Sequence, residues 1–222
     1  FGQNLAGART LIDCFEEVRQ DPTVKAVIFR IDSPGGSALA SEQIYQAVAR
    51  CAKQKPVVVS MGQLAASGGY YIACGGKPIL ADPAGLVGSI GVVSGKLATS
   101  ALMEKIGVTT FELRRGRNAG LYLSRPWTPR EQEVVRAHAE RCYDLFVQRV
   151  RDARPNIRKI EDVAEGRVFT ARQAKANGLV DEIGGMKEAV EKACELAKLE
   201  RANYYSLPRP RTLMELLSDE GD

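Results

Sequence analysis

One histidine, His138, serves the whole chain, so any centre built on two imidazoles is excluded. The five cysteines, Cys14, Cys51, Cys74, Cys142 and Cys194, are an odd number without a C-x-x-C pair. They support neither a disulfide framework nor a zinc site. Charge of one sign is scarce as well. Thirty-one basic residues stand against 27 acidic ones, and an excess of four is too small for the clustered basic face that grips nucleic acid. No Gly-x-x-x-x-Gly-Lys-Ser/Thr or Gly-x-Gly-x-x-Gly run is present, which removes the commonest phosphate cradles. The chain opens Phe1-Gly2-Gln3, with neither Met nor a basic-then-apolar leader, so no signal peptide is expected in it. Residues 56–76 lack charge, but five glycines with Ser60, Gln63 and Ser67 suit a folded interior better than a bilayer.

What is present is ordinary globular material: 222 residues, 45% hydrophobic and 26% charged, long for one domain and short for two. Leu11, Ile12, Phe15 and Val18 recur at helical spacing over residues 8–19, and Asp21-Pro22 ends that helix. Residues 25–31 read as a buried strand, Asp32-Ser33-Pro34-Gly35-Gly36 as a turn, and residues 38–53 as a helix with Ile44, Val48 and Cys51 on one face. Val57-Val58-Val59 is a second strand, leading through small residues into a short helix near Ser67. Alternation of strand and helix predicts an α/β fold with parallel strands joined by crossover helices. The carboxy-terminal part turns helical. Thr128-Pro129-Arg130-Glu131 is a capping box opening a helix to about residue 152. Thr170 to Gln173 is a second box, stopped at Asn177-Gly178, and a last helix covers about residues 186–199. Pro208-Arg209-Pro210-Arg211 predicts an extended tail with a frayed acidic end.

Two turns carry the chemistry. At Gly35-Gly36 and at Ser67-Gly68 the chain leaves a buried strand and starts a helix, where backbone N–H groups lack intrahelical partners. Glycine lets a substrate carbonyl approach, and Ser67 lies uncrowded between Ala66 and Gly68. Together they offer a nucleophile and an oxyanion hole. Glycine pairs also mark plain tight turns, and a serine at a helix start commonly caps it. Both readings stand on spacing alone.

The runs Ile31-Asp32-Ser33-Pro34-Gly35-Gly36-Ser37 and Ser60-Met61-Gly62-Gln63-Leu64-Ala65-Ala66-Ser67-Gly68-Gly69-Tyr70-Tyr71 resemble the two signature blocks of the bacterial signal peptide peptidase A (protease IV) family. Gly88-Ser89-Ile90-Gly91, Gly166-Arg167-Val168-Phe169-Thr170 and residues 174–185 agree with it in order. The resemblance implies a serine peptidase with a Ser–Lys dyad on the crotonase/ClpP-like fold. Residues 1–200 would form that domain without its first strand, and 201–222 the tail. Carried over by position, Ser67 is the nucleophile, the amides of Gly36 and Gly68 form the oxyanion hole, and Ser89 matches the serine that hydrogen-bonds the base. Ser89 is otherwise a polar turn residue between glycines.

The family's lysine falls, by position, on Ala119 within Arg115-Gly116-Arg117-Asn118-Ala119-Gly120. Alanine accepts no proton, and arginine stays protonated. A lysine base must be neutral, its pKa lowered from ~10.4 to about 7–8 by burial. Three explanations remain open. The chain resembles the serine-bearing carboxy-terminal repeat of a tandem form whose amino-terminal repeat carries the lysine. Alternatively a Lys→Ala change leaves an inactive form, or another residue such as Lys96 serves. His138, three residues after Val135 and four before Cys142, reads as a packed or boundary residue of the long helix. Arg114, Arg115, Arg117, Arg125 and Arg130 fall in 17 residues without an acid, a solvated loop or a face for an anionic membrane or acidic partner. Trp127 reads as a packing anchor.

The resulting expectation is a serine endopeptidase half-site for short, apolar, extended peptides such as signal-peptide remnants, needing no metal or organic cofactor. Its partners would be the peptide, a lysine-bearing repeat or neighbouring subunit, and further copies in a homo-oligomer. The resemblance implies a place at the inner membrane facing the periplasm, attached through a segment outside this chain. Free cysteines point instead to reducing surroundings. The rivals are a crotonase-like acyl-CoA enzyme, which would not need Ser67, and a scaffold or peptide-binding repeat without turnover.

Overall fold

The computed structural model describes residues 7–121 and 123–209. Helix α1 (Ala8–Gln20) buries Phe15 and Val18 and ends at Asp21, as the Asp-Pro break requires. Strand β1 (Val27–Ser33) runs two residues further than its apolar pattern indicated. Helix α2 (Ala38–Ala52) starts on Ser37, whose hydroxyl accepts the Ala40 N–H, and turns Ile44, Val48 and Cys51 inward. Strand β2 (Val57–Ala66) is ten residues long rather than three, and it delivers the chain directly to Ser67. Helix α3 (Gly68–Ala73) follows at once. Strands β3 (Ile79–Ala81) and β4 (Leu86–Gly88) come next, then the short helix α4 (Ser100–Lys105). Helix α5 (Pro129–Ala153) opens on the predicted capping box, with Thr128 and Glu131 bonding each other's backbone. After it come β5 (Val168–Thr170), α6 (Ala171–Ala176) with its own capping box, β6 (Glu182–Ile183) and α7 (Met186–Ala197). The left-handed stop after α6 is Gly178, at φ +81°.

Six strands form one sheet in the order β5-β4-β2-β3-β6, with β1 on the other side of β2. The pairs β1–β2, β2–β3, β2–β4 and β3–β6 are parallel, as α/β alternation predicts. The β4–β5 pair is antiparallel, which that alternation did not predict. Strand β2 is the axis. Val57, Val58, Val59 and Met61 are all buried because helices cover both faces of the sheet. One face carries the main core with α2, α3 and α5, and on the other Val58 and Leu80 pack against Ala189 and Ala193 of α7. The uncharged stretch of residues 56–76 is therefore this strand and helix, folded inside the domain.

The β1–β2 register is one-to-one from Val27↔Val57 to Ile31↔Met61, then jumps to Ser33↔Ala65. Two residues of β1 thus oppose four of β2, a bulge that bends the strand before Ser67. Asp32 Oδ1 accepts the Leu64 N–H at 3.1 Å and pins the bulge. A side chain at Gly62 would lie 2.7 Å from Asp32 Oδ2 and 2.9 Å from Arg30 Nη2, so glycine is what lets those groups lie over it. The predicted tail is described only to residue 209, without helix or strand. The acidic end and Pro210-Arg211 lie outside the described residues, as do residues 1–6 ahead of α1, where the family's first strand is expected to be missing.

Candidate active site

Ser67 occupies the corner between β2 and α3 at φ +51° and ψ −120°, a region that costs a non-glycine residue about 1–3 kcal/mol. Its N–H donates to Gly88 O at 2.8 Å, which tethers the corner to the end of β4. Although Ser67 stands at the N-cap position, its side chain makes no capping bond. The hydroxyl is half-exposed instead of being spent on the helix. Ser89 follows the neighbouring strand end in the same way: Gly88 pairs with Ala66, Ser89 also has φ +51°, and its N–H donates to Arg167 O at 2.7 Å. Two strained serines therefore stand side by side at the carboxyl ends of parallel strands, where open α/β sheets bind ligands.

The glycine pair at 35–36 closes against this corner. Gly35 has φ +105°, and a Cβ on it would lie 2.7 Å from Gly68 N and 2.8 Å from Ser67 Cβ. A Cβ on Gly68 would in turn lie 3.1 Å from Gly36 N and 3.2 Å from Gly35 Cα. The two turns interlock through bare backbone. Among the described residues neither the Gly36 nor the Gly68 amide has a hydrogen-bond acceptor. A half-exposed hydroxyl beside two free N–H groups can attack a carbonyl and hold the oxyanion that forms.

The helices behind the corner are locked. Tyr70 is fully buried and donates to Leu179 O at 2.7 Å, its phenol pushed well up by burial. Tyr71 donates to Glu42 Oε2 at 2.5 Å, and Arg149 of α5 grips the same carboxylate at 2.6 and 3.2 Å. Burial raises the Glu42 pKa, but bonds from Arg149, Gln46 and Tyr71 outweigh it and hold the group below the usual carboxylate range.

No proton acceptor stands with Ser67 among the residues weighed for that part. Ala119 lies on an exposed turn of residues 116–121. Lys96 is neither a solvated surface lysine nor a free amine. Its ammonium donates to Leu123 O at 2.8 Å and Leu121 O at 3.3 Å, and lies 5.2 Å from the Trp127 ring centroid. Those contacts hold the amine against the turn at residues 121 and 123 and the Trp127 ring. Trp127 is an anchor as expected, its indole donating to Leu121 O at 2.8 Å. His138 is exposed on α5 and its ring faces Cys142 Sγ at 3.7 Å. The arginine-rich stretch is less bare than its sequence suggests. Arg125 pairs with Glu131 at 2.7 Å, and Arg114 lies 3.7 Å from Glu112. Reasoning from sequence passed over Asp32 and Ser41. The second was detectable as a serine four residues beyond Ser37, spaced to share its helical turn.

The sequence profile of Peptidase family S49 matches residues 49–200, and that of Clp protease matches residues 15–80. The chain is 39% identical to "Serine protease SPPA, chloroplastic" of Arabidopsis thaliana, over 96% of this chain and 33% of that protein. It is 38% identical to "Protease 4" of Salmonella typhi over 96% of this chain and 35% of the relative. Against "Putative signal peptide peptidase SppA" of Enterococcus faecium the identity is 34%, over 83% and 54%. The chain thus spans about a third of the length of the first two relatives. A ClpP1 variant from Listeria monocytogenes superposes with a TM-score of 0.55 at 14% identity, covering 82% of this chain and 86% of the other, and this shows a ClpP-like α/β fold.

Proposed function

The chain belongs to peptidase family S49, and on that premise we propose that it is the serine-bearing domain of an endopeptidase for short, extended, apolar peptides such as signal-peptide remnants. Ser67 Oγ attacks the scissile carbonyl carbon, and its proton passes to a lysine. The carbonyl oxygen, now an anion, is held by the Gly36 and Gly68 amides. The C–N bond then breaks as the lysine returns the proton to the leaving amine, and water deprotonated by the same lysine hydrolyses the acyl-serine to the acid and the free hydroxyl. Ser89, one strand away, orients the lysine. The observation that carries this reading is the strained, uncapped Ser67 interlocked with the free amides of the Gly35-Gly36 turn. No metal or organic cofactor takes part.

The lysine comes from a second S49-type domain, either another repeat of the same polypeptide or a neighbouring subunit. Support comes from Ala119 at the family's position and from Lys96, whose amine is engaged by the Leu121 and Leu123 carbonyls. Further support is the exposed apolar stretch of residues 93–113, where Val93, Leu97, Phe111 and Leu113 are 84–101% exposed. Among the described residues no helix is long and apolar enough to cross a membrane. An inner-membrane location facing the periplasm, within a homo-oligomer, would rest on segments outside them. Ala119 also favours a second reading, a domain that binds peptides without turnover.

Fluorophosphonate labelling read by mass spectrometry tests the choice. Slow labelling of Ser67 in this chain, accelerated at least about tenfold by a lysine-bearing S49 domain and abolished by Ser67→Ala, is the expected result. Labelling elsewhere, or undiminished in Ser67→Ala, overturns the peptidase assignment. Ser67 labelling that no partner accelerates leaves the binding-domain reading.

A further inference from the structure

Behind the two turns lies a hydroxyl that the proposed chemistry does not use. Ser41, in the first turn of α2, is only 6% exposed. Its Oγ donates to Ser37 O at 3.0 Å, and its own N–H donates to the same oxygen at 2.9 Å. Ser37 directly follows Gly36, so this double contact fixes the chain where it leaves the first turn. The other side of the hydroxyl faces the second turn. A Cβ built on Gly68 would come 2.5 Å from Ser41 Oγ, so the hydroxyl lies against the bare α-carbon of Gly68, where a side chain has no room. The same position on Gly68 lies 3.1 Å from Gly36 N. Ser41 Oγ therefore touches both turns at the place where their amides come together.

We propose that Ser41 is a positioning residue that sets the distance and angle between the Gly36 and Gly68 N–H groups. The inference rests on the proposed role of those amides in holding an oxyanion. The neighbouring Glu42 does a separate job: with Tyr71 and Arg149 it holds α2, α3 and α5 together, away from the turns. One hydroxyl then tunes the hole while the adjacent carboxylate secures the frame. A methyl group at position 41 fills nearly the same space against Gly68 but makes no bond to Ser37 O.

The test uses two probes on the folded chain: a peptide ending in boroleucine, which forms a tetrahedral adduct with a serine, and the same peptide ending in leucinamide. Ser41→Ala should weaken the boronate about tenfold and leave the amide within about twofold, with Ser67→Ala abolishing the difference between the probes. It should also move the Gly36 and Gly68 amide resonances while those of β3 and α7 stay in place. Equal weakening of both probes, or no weakening of either, overturns the proposal. So does a loss of the same size in Glu42→Gln, which leaves Ser41 where it is. If the unmodified chain does not distinguish the two probes, the oxyanion assignment itself fails. Unmoved glycine resonances in Ser41→Ala, by contrast, refute only the positioning role.

Discussion

At the scale of the residue, Gly35 and Gly36 look interchangeable in sequence and are opposite in structure. Gly35 sits at φ +105° with Gly68 N, Ser67 Cβ and Ala66 O all within 3.0 Å of where a Cβ would be. Two of those three atoms belong to backbone, which cannot rotate away. Gly36 has nothing within 4 Å of the corresponding point. Gly35→Ala should therefore cost about 2–4 kcal/mol in urea unfolding, combining left-handed strain with the forced separation of the turns. Gly36→Ala should stay within about 1 kcal/mol, because its added methyl meets only open space. Similar losses in both variants would mean that the turns do not interlock as described. The sequence revealed that two glycine-bearing turns end two buried strands, and the family resemblance singled out Ser67 as the expected nucleophile. It did not reveal the φ of Ser67, the freedom of its hydroxyl from capping, or the use of Asp32 as a clamp. A serine's backbone angle and an aspartate's distant acceptor partner are set by tertiary contacts, which leave no periodic signal.

At the scale of the element, helices were easier to read than strands for a physical reason. Capping boxes are local, so Thr128 and Thr170 announced α5 and α6 unaided. Strands β3, β4, β5 and β6 are two or three residues long, too short for any apolar alternation, and exist because β2, β3 and β4 offer edges to pair with. Composition also misplaced the end of β1. Asp32-Ser33 reads as turn chemistry, yet Ser33 pairs with Ala65 across the bulge. One ion pair joins several of these small elements. Arg154, the C-cap of α5, is 7% exposed and donates to Asp181 Oδ2 at 2.8 Å and to Gly178 O at 2.7 Å. Asp181 also accepts the Ile79 N–H at 2.7 Å, fastening the start of β3. Burial pushes the Asp181 pKa up, but Arg154 and the Ile79 amide outweigh it and hold the carboxyl below its ordinary value. A depressed folded pKa contributes stability above the unfolded value of about 3.9 and loses it as pH falls through the folded one. Asp181→Asn should cost about 2 kcal/mol at pH 7, the low end for a broken buried pair because Asp181 remains partly solvated. That gap should hold down to about pH 5 and narrow toward pH 3 in urea titrations. A gap independent of pH would remove the carboxylate's charge from the explanation.

At the scale of the whole molecule, residues 92–130 depart from the economy of the rest. They hold seven basic residues and two acidic ones, more than the chain's entire excess of four. Val93, Leu97, Leu102, Ile106, Val108, Phe111 and Leu113 are all exposed, an unusual concentration of bare apolar side chains for one stretch. Within the stretch α4 has six residues and buries none of them, although a helix so short is not stable alone in water. Lys96 and Trp127 tie the base of the excursion to residues 121–123 and leave its far part unpacked. Concentrated exposed apolar residues of this kind mark surfaces that a partner covers. Like charge disfavours stretch against stretch, so on the proposed reading the surface it meets is the body of another S49-type domain. Sedimentation of the chain at tens of micromolar, alone and with a lysine-bearing S49 domain, should show association in at least one case. Replacing Leu97, Phe111 and Leu113 together by serine should abolish that association and the accelerated labelling of Ser67, with the unfolding midpoint shifting little because nothing in the domain packs on them. Association that survives the triple replacement would place the contact elsewhere, and the base would then have to reach Ser67 from another side.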